Sequence, residues 1–191
     1  MSKREIELIY GIRCHLRNRA TRRAIRETLK QIRAYNLSDF RALQSLVREI
    51  VPLPKAKQKR GTLGERIAEQ PNLDDPSTYG YGIDRTPGRL FLREYFDDRE
   101  DAVATVAQEL GHACSTRLEI ERRCAAIDEE WASELNADWY ACMKWGFGKL
   151  IARIRPRRDE RHHSFKPGTS FELRGRNYRV TRHFCMRPEP S

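Results

Sequence analysis

The stretch VATVAQELGHACS, Val103–Ser115, decides how the centre of this 191-residue chain is read. At about 100° per residue around a helix axis, with Gln108 at 0°, His112 falls at about 40° and Glu109 at about 100°. Val103, Val106, Ala107, Leu110, Ala113 and Cys114 fall on the other side, between about 140° and 260°. The spacing predicts an amphipathic helix whose apolar side faces a core and whose polar arc carries Gln108, Glu109 and His112. A metal site on a helix needs this arrangement: two donors one turn apart, an open face, and a reverse face that is anchored. Gly111 costs about 1 kcal/mol of helix stability relative to alanine. That cost makes sense if a second helix crosses closely there. Asp98 or Asp101 is expected to cap the helix.

The second helix is expected in EEWASELNADWYACMKWGFG, residues 129–148. Glu134 and Asp138 are four residues apart and share a face, with Glu130 one turn earlier. Glu134 follows His112 by 22 positions, enough for a turn and a returning helix. A carboxylate brought back in this way would complete a three-ligand zinc site with water in the fourth position. Trp131, Trp139 and Trp145 are expected to serve packing.

AQELGHA followed by ELNADWYA resembles the zincin metallopeptidases of the glutamate-ligand type, which carry H-E-x-x-H and a downstream E-x-x-A-[DN]. Among these the chain is most similar to the compact ImmA/IrrE-type peptidases, over about residues 80–147. The resemblance implies a zincin-like α+β fold and zinc (Zn2+) as cofactor. It also implies that His112 and Glu134 are metal ligands, that Glu109 is the catalytic general base, and that Asp138 orients a ligand. It further places RLFLREYF, 89–96, as the strand that lines the substrate at the sheet edge. Gln108 departs from the pattern, standing where the family has its first histidine. A neutral amide oxygen is a poor substitute for an imidazole nitrogen, so Gln108 is expected to hold zinc weakly or not at all. Cys114 faces the core and cannot replace it, and nothing in the sequence brings His162, His163 or His183 to the site.

Charge is distributed in blocks. Residues 1–60 carry 16 basic and 5 acidic side chains, residues 61–100 carry 5 and 9, residues 101–147 carry 4 and 9, and residues 148–191 carry 12 and 4. An acidic centre thus lies between two basic arms, which favours an acidic partner such as nucleic acid for the arms. The arms lack the interleaved aromatics of single-strand binders and show no helix-turn-helix pattern. Five cysteines without a C-x-x-C pair suit free thiols in a reducing compartment. No apolar run is long enough to cross a bilayer, and the N-terminus lacks the apolar core of a secretion signal. An intracellular protein, cytoplasmic or nuclear and away from membranes, is therefore expected.

The remaining organisation is expected as follows. A basic helical arm spans 1–60, with one helix over 4–34 and a second after NLSDF, capped by Ser38 and bearing Phe40, Leu43, Val47 and Ile50. VPLPKAKQKRG, 51–61, is a linker because its prolines stop helix continuation. The zincin-like core covers 61–150, with a loop at 70–88 and a further helix over about 116–126. A basic extension, 151–191, ends in a β-hairpin over 170–185 that turns at Arg174–Asn177. The function implied is zinc-dependent endopeptidase hydrolysis of a protein or peptide substrate. Its rivals are a catalytically inactive zincin-fold binding protein and a nucleic-acid-binding module.

Overall fold

The computed structural model describes residues 6–54, 64–69, 79–80, 87–116, 118–119, 129–154, 168, 170–173, 176–182 and 185–189. The architecture is α+β, with a mixed six-stranded sheet in the order β1-β2-β3-β6-β4-β5 and a separate three-stranded sheet. None of the described helices is long and apolar enough to cross a membrane.

The described residues begin with a hairpin over 7–14, where a single helix over 4–34 was expected. Strands β1 (Glu7–Ile9) and β2 (Ile12–Cys14) pair antiparallel, with Ile9 opposite Ile12. The two-residue link Tyr10–Gly11 has positive φ at both positions, 50° and 87°, as a tight hairpin turn requires. Ile12 and Cys14 are buried while Arg13 is exposed, a period of two that breaks the helical stripe. Helix α1 (Arg19–Tyr35) starts only after this, capped by Asn18, whose side chain accepts from the Thr21 N–H.

Helix α2 (Leu37–Leu46) is capped by Asn36 and not by Ser38; the Asn36 side chain accepts from the Asp39 N–H. It stops at Leu46 because the β-branched run VREIVP continues as strand β3 (Val47–Pro52), so Val47 and Ile50 belong to the sheet. Strand β3 lies parallel to β2 on one side and to β6 (Gly88–Leu92) on the other. The expected linker thus begins inside a strand, and its remainder, 55–61, lies outside the described residues. Strand β4 (Gly64–Glu69) pairs antiparallel with β6 and with the two-residue β5 (Tyr79–Gly80). Strand β6 is therefore interior, between β3 and β4. The sheet edges are β1 and β5, which corrects the expectation that 89–96 forms the edge.

Nor does a boundary at residue 60 separate an arm from a core. Ile12, Ile25, Leu29, Ile32, Leu43 and Ile50 are fully buried in one cluster with Leu90, Val106 and Leu110. The clamp between the two parts is Glu94, whose Oε1 accepts from the backbone N–H groups of Arg17 and Asn18, while its carbonyl accepts from Thr21 Oγ1 at 2.8 Å. The N–H of the N-cap residue Asn18, just ahead of α1, is satisfied there by a carboxylate 76 residues away.

Helix α3 (Arg99–Cys114) carries the motif and is capped by Asp98, which accepts from the Glu100 N–H. Its expected core side is buried throughout. Helix α4 (Glu129–Trp139) returns across it and runs into a π-helical turn, Tyr140–Lys144, followed by helix α5 (Gly148–Ile154). Trp145 is fully buried and donates through Nε1 to Asp39 Oδ2 at 2.9 Å, tying this end to α2. Of the helix expected over 116–126, Thr116, Leu118 and Glu119 are described, the last two as helix. Thr116 and Glu119 bond reciprocally as a capping box: the Thr116 N–H donates to the Glu119 carboxylate, and the Glu119 N–H to Thr116 Oγ1. The expected C-terminal hairpin is present as β7 (Ser170–Leu173) and β8 (Arg176–Val180), with β9 (Met186–Pro188) added on β8. Leu173 pairs with Arg176 and Glu172 with Asn177, so Arg176 and Asn177, expected in the turn, belong to strand β8.

The crossing of α3 and α4 is close at Gly111. A Cβ placed there would stand 2.6 Å from the Ala137 carbonyl oxygen and 2.9 Å from its Cα, both backbone atoms. Gly111→Ala should therefore destabilise the protein by about 1–3 kcal/mol through overpacking. Helix propensity alone would stabilise the variant by about 1 kcal/mol, so the sign of the change in urea unfolding separates the two effects.

Candidate metal or catalytic centre

The α3–α4 crossing brings the predicted residues together. Imidazole Nε2 of His112 lies 3.2 Å from Glu134 Oε1, and the Gln108 Nε2 amide donates to Glu134 Oε2 at 2.7 Å. Both carboxylate oxygens are thus engaged by groups one turn apart on α3. Gln108, Glu109 and His112 are all half-buried, as the polar arc requires. Glu109 is close enough for its charge to act on the imidazole. The side chain of Glu130 lies outside the described residues, as do His162, His163 and His183. Cys114 is fully buried and faces the core.

The other imidazole nitrogen has a partner that sequence reasoning missed. Nδ1 of His112 is 3.1 Å from Ser133 Oγ. Donation of the Nδ1–H to this hydroxyl leaves Nε2 as the nitrogen that faces Glu134. Asp138, expected to orient a ligand, is fully buried one turn beyond Glu134 and acts on His112 through its charge. One signal for Ser133 was present in the sequence: Ser133 and Ala137 are both small and four apart, so they share the ridge that meets Gly111.

At the end of the crossing lies a buried polar chain. Asn136 Nδ2 donates to Ser115 Oγ at 2.9 Å, and Ser115 Oγ donates to the Gly111 carbonyl at 3.0 Å. Both side chains are buried. The chain satisfies a carbonyl near the C-terminus of α3 and pins that end to α4.

Opposing forces act on the His112 proton. Burial disfavours the charged ring, but the charge and hydrogen bond of Glu134, with the charges of Glu109 and Asp138, outweigh it and raise the pKa from 6.5 to about 9. In the metal-free protein at neutral pH the ring is an imidazolium that donates to Glu134 and to Ser133.

Whether these residues suit zinc is a question of donor geometry. Zinc binds imidazole nitrogen and carboxylate oxygen at about 2.0–2.2 Å, which sets neighbouring tetrahedral ligand atoms about 3.3–3.5 Å apart. The His112–Glu134 separation of 3.2 Å is close to that edge. Among the described residues no group of three or more His, Cys, Asp and Glu side chains could hold a metal ion, and the expected third donor is Gln108. Its amide presents N–H to Glu134, and its carbonyl oxygen becomes a ligand only if the amide turns over. The spacing of His112 and Glu134 suits zinc once the imidazole loses its Nε2 proton, and Gln108 offers an oxygen only after its amide rotates.

The chain matches no family model, no curated protein and no solved structure.

Two outcomes follow from the proton on His112. In metal-free protein its ring resonances should titrate near pH 9, and Glu134→Gln should lower the midpoint. The folded value lies above the unfolded one, so the stabilisation is complete below pH 6.5 and is lost as pH rises through about 9. If the centre takes zinc, the ion must displace this proton, so apparent zinc affinity should then rise about tenfold per pH unit below that midpoint and level off above it. Ser133→Ala should weaken zinc binding about 10- to 100-fold and change the tautomer seen by nitrogen NMR of the deprotonated ring, whereas Ser133→Thr should preserve both.

Proposed function

We propose that this chain is a zincin-type zinc-dependent hydrolase acting on peptide bonds of a protein substrate. The observation that carries the proposal is the 3.2 Å approach of His112 Nε2 to Glu134 Oε1, made by two helices whose contributing residues are 22 positions apart. His112 and Glu134 would hold the ion, with Gln108 contributing its carbonyl oxygen after the amide turns. Zinc bound there supplies a water of lowered pKa and polarises the scissile carbonyl. Glu109 is the general base: a carboxylate on the same polar arc, adjacent to the ligand positions, takes a proton from the attacking water and delivers it to the leaving amine. Ser133 holds the imidazole so that Nε2 faces the ion. The tight packing at Gly111 keeps the two helices at the separation the short His112 and Glu134 side chains can bridge.

A second proposal, a catalytically silent protein that uses the same fold to bind a partner, is favoured by a different observation. The Gln108 N–H already occupies Glu134 Oε2 at 2.7 Å, so the carboxylate is satisfied without an ion. Metal content separates the two. Hydrolase function requires near-stoichiometric zinc in protein purified without added metal. It also requires that Glu109→Gln lower peptide hydrolysis by at least about 100-fold while zinc stays bound. Absence of zinc in the native protein, together with a gain of zinc affinity of about tenfold or more in Gln108→His, would establish the silent form instead.

A further inference from the structure

Helix α1 packs one face against the core and turns the opposite face outward. Ala24, Ile25, Thr28, Leu29 and Ile32 are buried, while Arg19, Arg23, Arg26, Lys30 and Arg33 are exposed. At about 100° per residue these five cations fall within an arc of about 80°, one on each turn. At about 1.5 Å rise per residue the ridge from Arg19 to Arg33 is about 21 Å long.

Its orientation is held at both ends. Glu94 and Asn18 fix the N-terminus, and Gln31 Nε2 donates to the Trp145 carbonyl at 2.9 Å near the C-terminus. Partial neutralisation comes from two acids. Glu7 pairs with Arg22 and Arg26, and Glu27 pairs with Arg23 and Arg99. Among the described residues no ion pair engages Arg19, Lys30 or Arg33; Arg33 rests over the Phe40 ring at 5.8 Å. The ridge retains net positive charge along the exposed face of one helix.

We propose that this ridge binds the phosphate backbone of double-stranded nucleic acid without reading its sequence. A duplex strand presents one charge per about 3.4 Å of axis, so 21 Å of ridge spans about six phosphates, close to the number of cations it offers. No aromatic side chain lies on the ridge to stack an unpaired base; the exposed Tyr35 lies about 160° around the helix from Arg19. Base edges are read by Asn, Gln and bidentate Arg seated in a groove. Here the amide of Gln31 is committed to Trp145 and the side chain of Asn18 to the α1 cap, so no amide faces outward from the ridge. The ridge uses none of the residues of the α3–α4 centre, and its function is independent of hydrolysis.

Binding of the full-length protein to a labelled 20-base-pair duplex, measured from 50 to 300 mM salt, tests this. Affinity should be the same for unrelated sequences and should fall linearly on a log–log plot, with a slope of about −0.9 per phosphate contacted. Replacing Arg19, Lys30 and Arg33 with Gln should make the slope less steep by about 2 to 3 and weaken binding at least tenfold at 100 mM salt. The control Lys149→Gln, Arg179→Gln, Arg187→Gln removes the same charge from other exposed positions and should leave the slope nearly unchanged. Equal loss in the two variants would overturn the proposal, as would no duplex binding at 50 mM salt. So would tighter binding to single strands of the same sequence, or equal competition by polyglutamate, which would point to an acidic protein partner. Unchanged melting temperatures show that both variants are folded.

Discussion

The close approach of two helix backbones at Gly111 and Ala137 is the constraint on which the centre of this protein depends. A side chain at residue 111 would collide with a peptide group, so the helices can meet at this distance only where one has no Cβ. Once they meet there, His112 and Gln108 are within reach of Glu134, and Ser133 is within reach of the second imidazole nitrogen. The Asn136–Ser115–Gly111 hydrogen bonds prevent the crossing from sliding, because sliding would leave buried polar groups unsatisfied. Packing sets the geometry and the polar residues exploit it.

Electrostatics then divides the molecule. Around His112 the chain gathers Glu109, Glu134 and Asp138, and their combined field overcomes burial and keeps a proton on the ring. About 21 Å of α1 presents the opposite charge outward, on the face turned away from the core. The acidic centre and the basic ridge share one hydrophobic core, yet neither needs the other's residues.

Much of the centre was legible in the sequence because it depends on helical spacing. The polar arc of Gln108, Glu109 and His112, the buried reverse side and a cap at Asp98 or Asp101 follow from residues in and next to one helix, and Gly111 marked where a second helix could cross. The return of Glu134 was legible as well, since a carboxylate 22 positions on needs only one turn and one helix to come back. The roles proposed for these residues rest on chemistry that spacing alone does not supply.

What the sequence by itself determined, then, is the set of groups placed on each helix face, because a side chain's angle around an axis is local. Only the tertiary structure decided which groups meet between helices and strands. It turned residues 6–14 from a helical stripe into a hairpin, because Ile12 and Cys14 gain burial in a sheet that β3 and β6 extend. It joined residues 6–54 to the core through Glu94, a contact between positions 76 apart that no local pattern encodes. It also chose Ser133 as the partner of His112, because a hydrogen bond across a helix crossing depends on the crossing angle and separation, and those are properties of the packed pair.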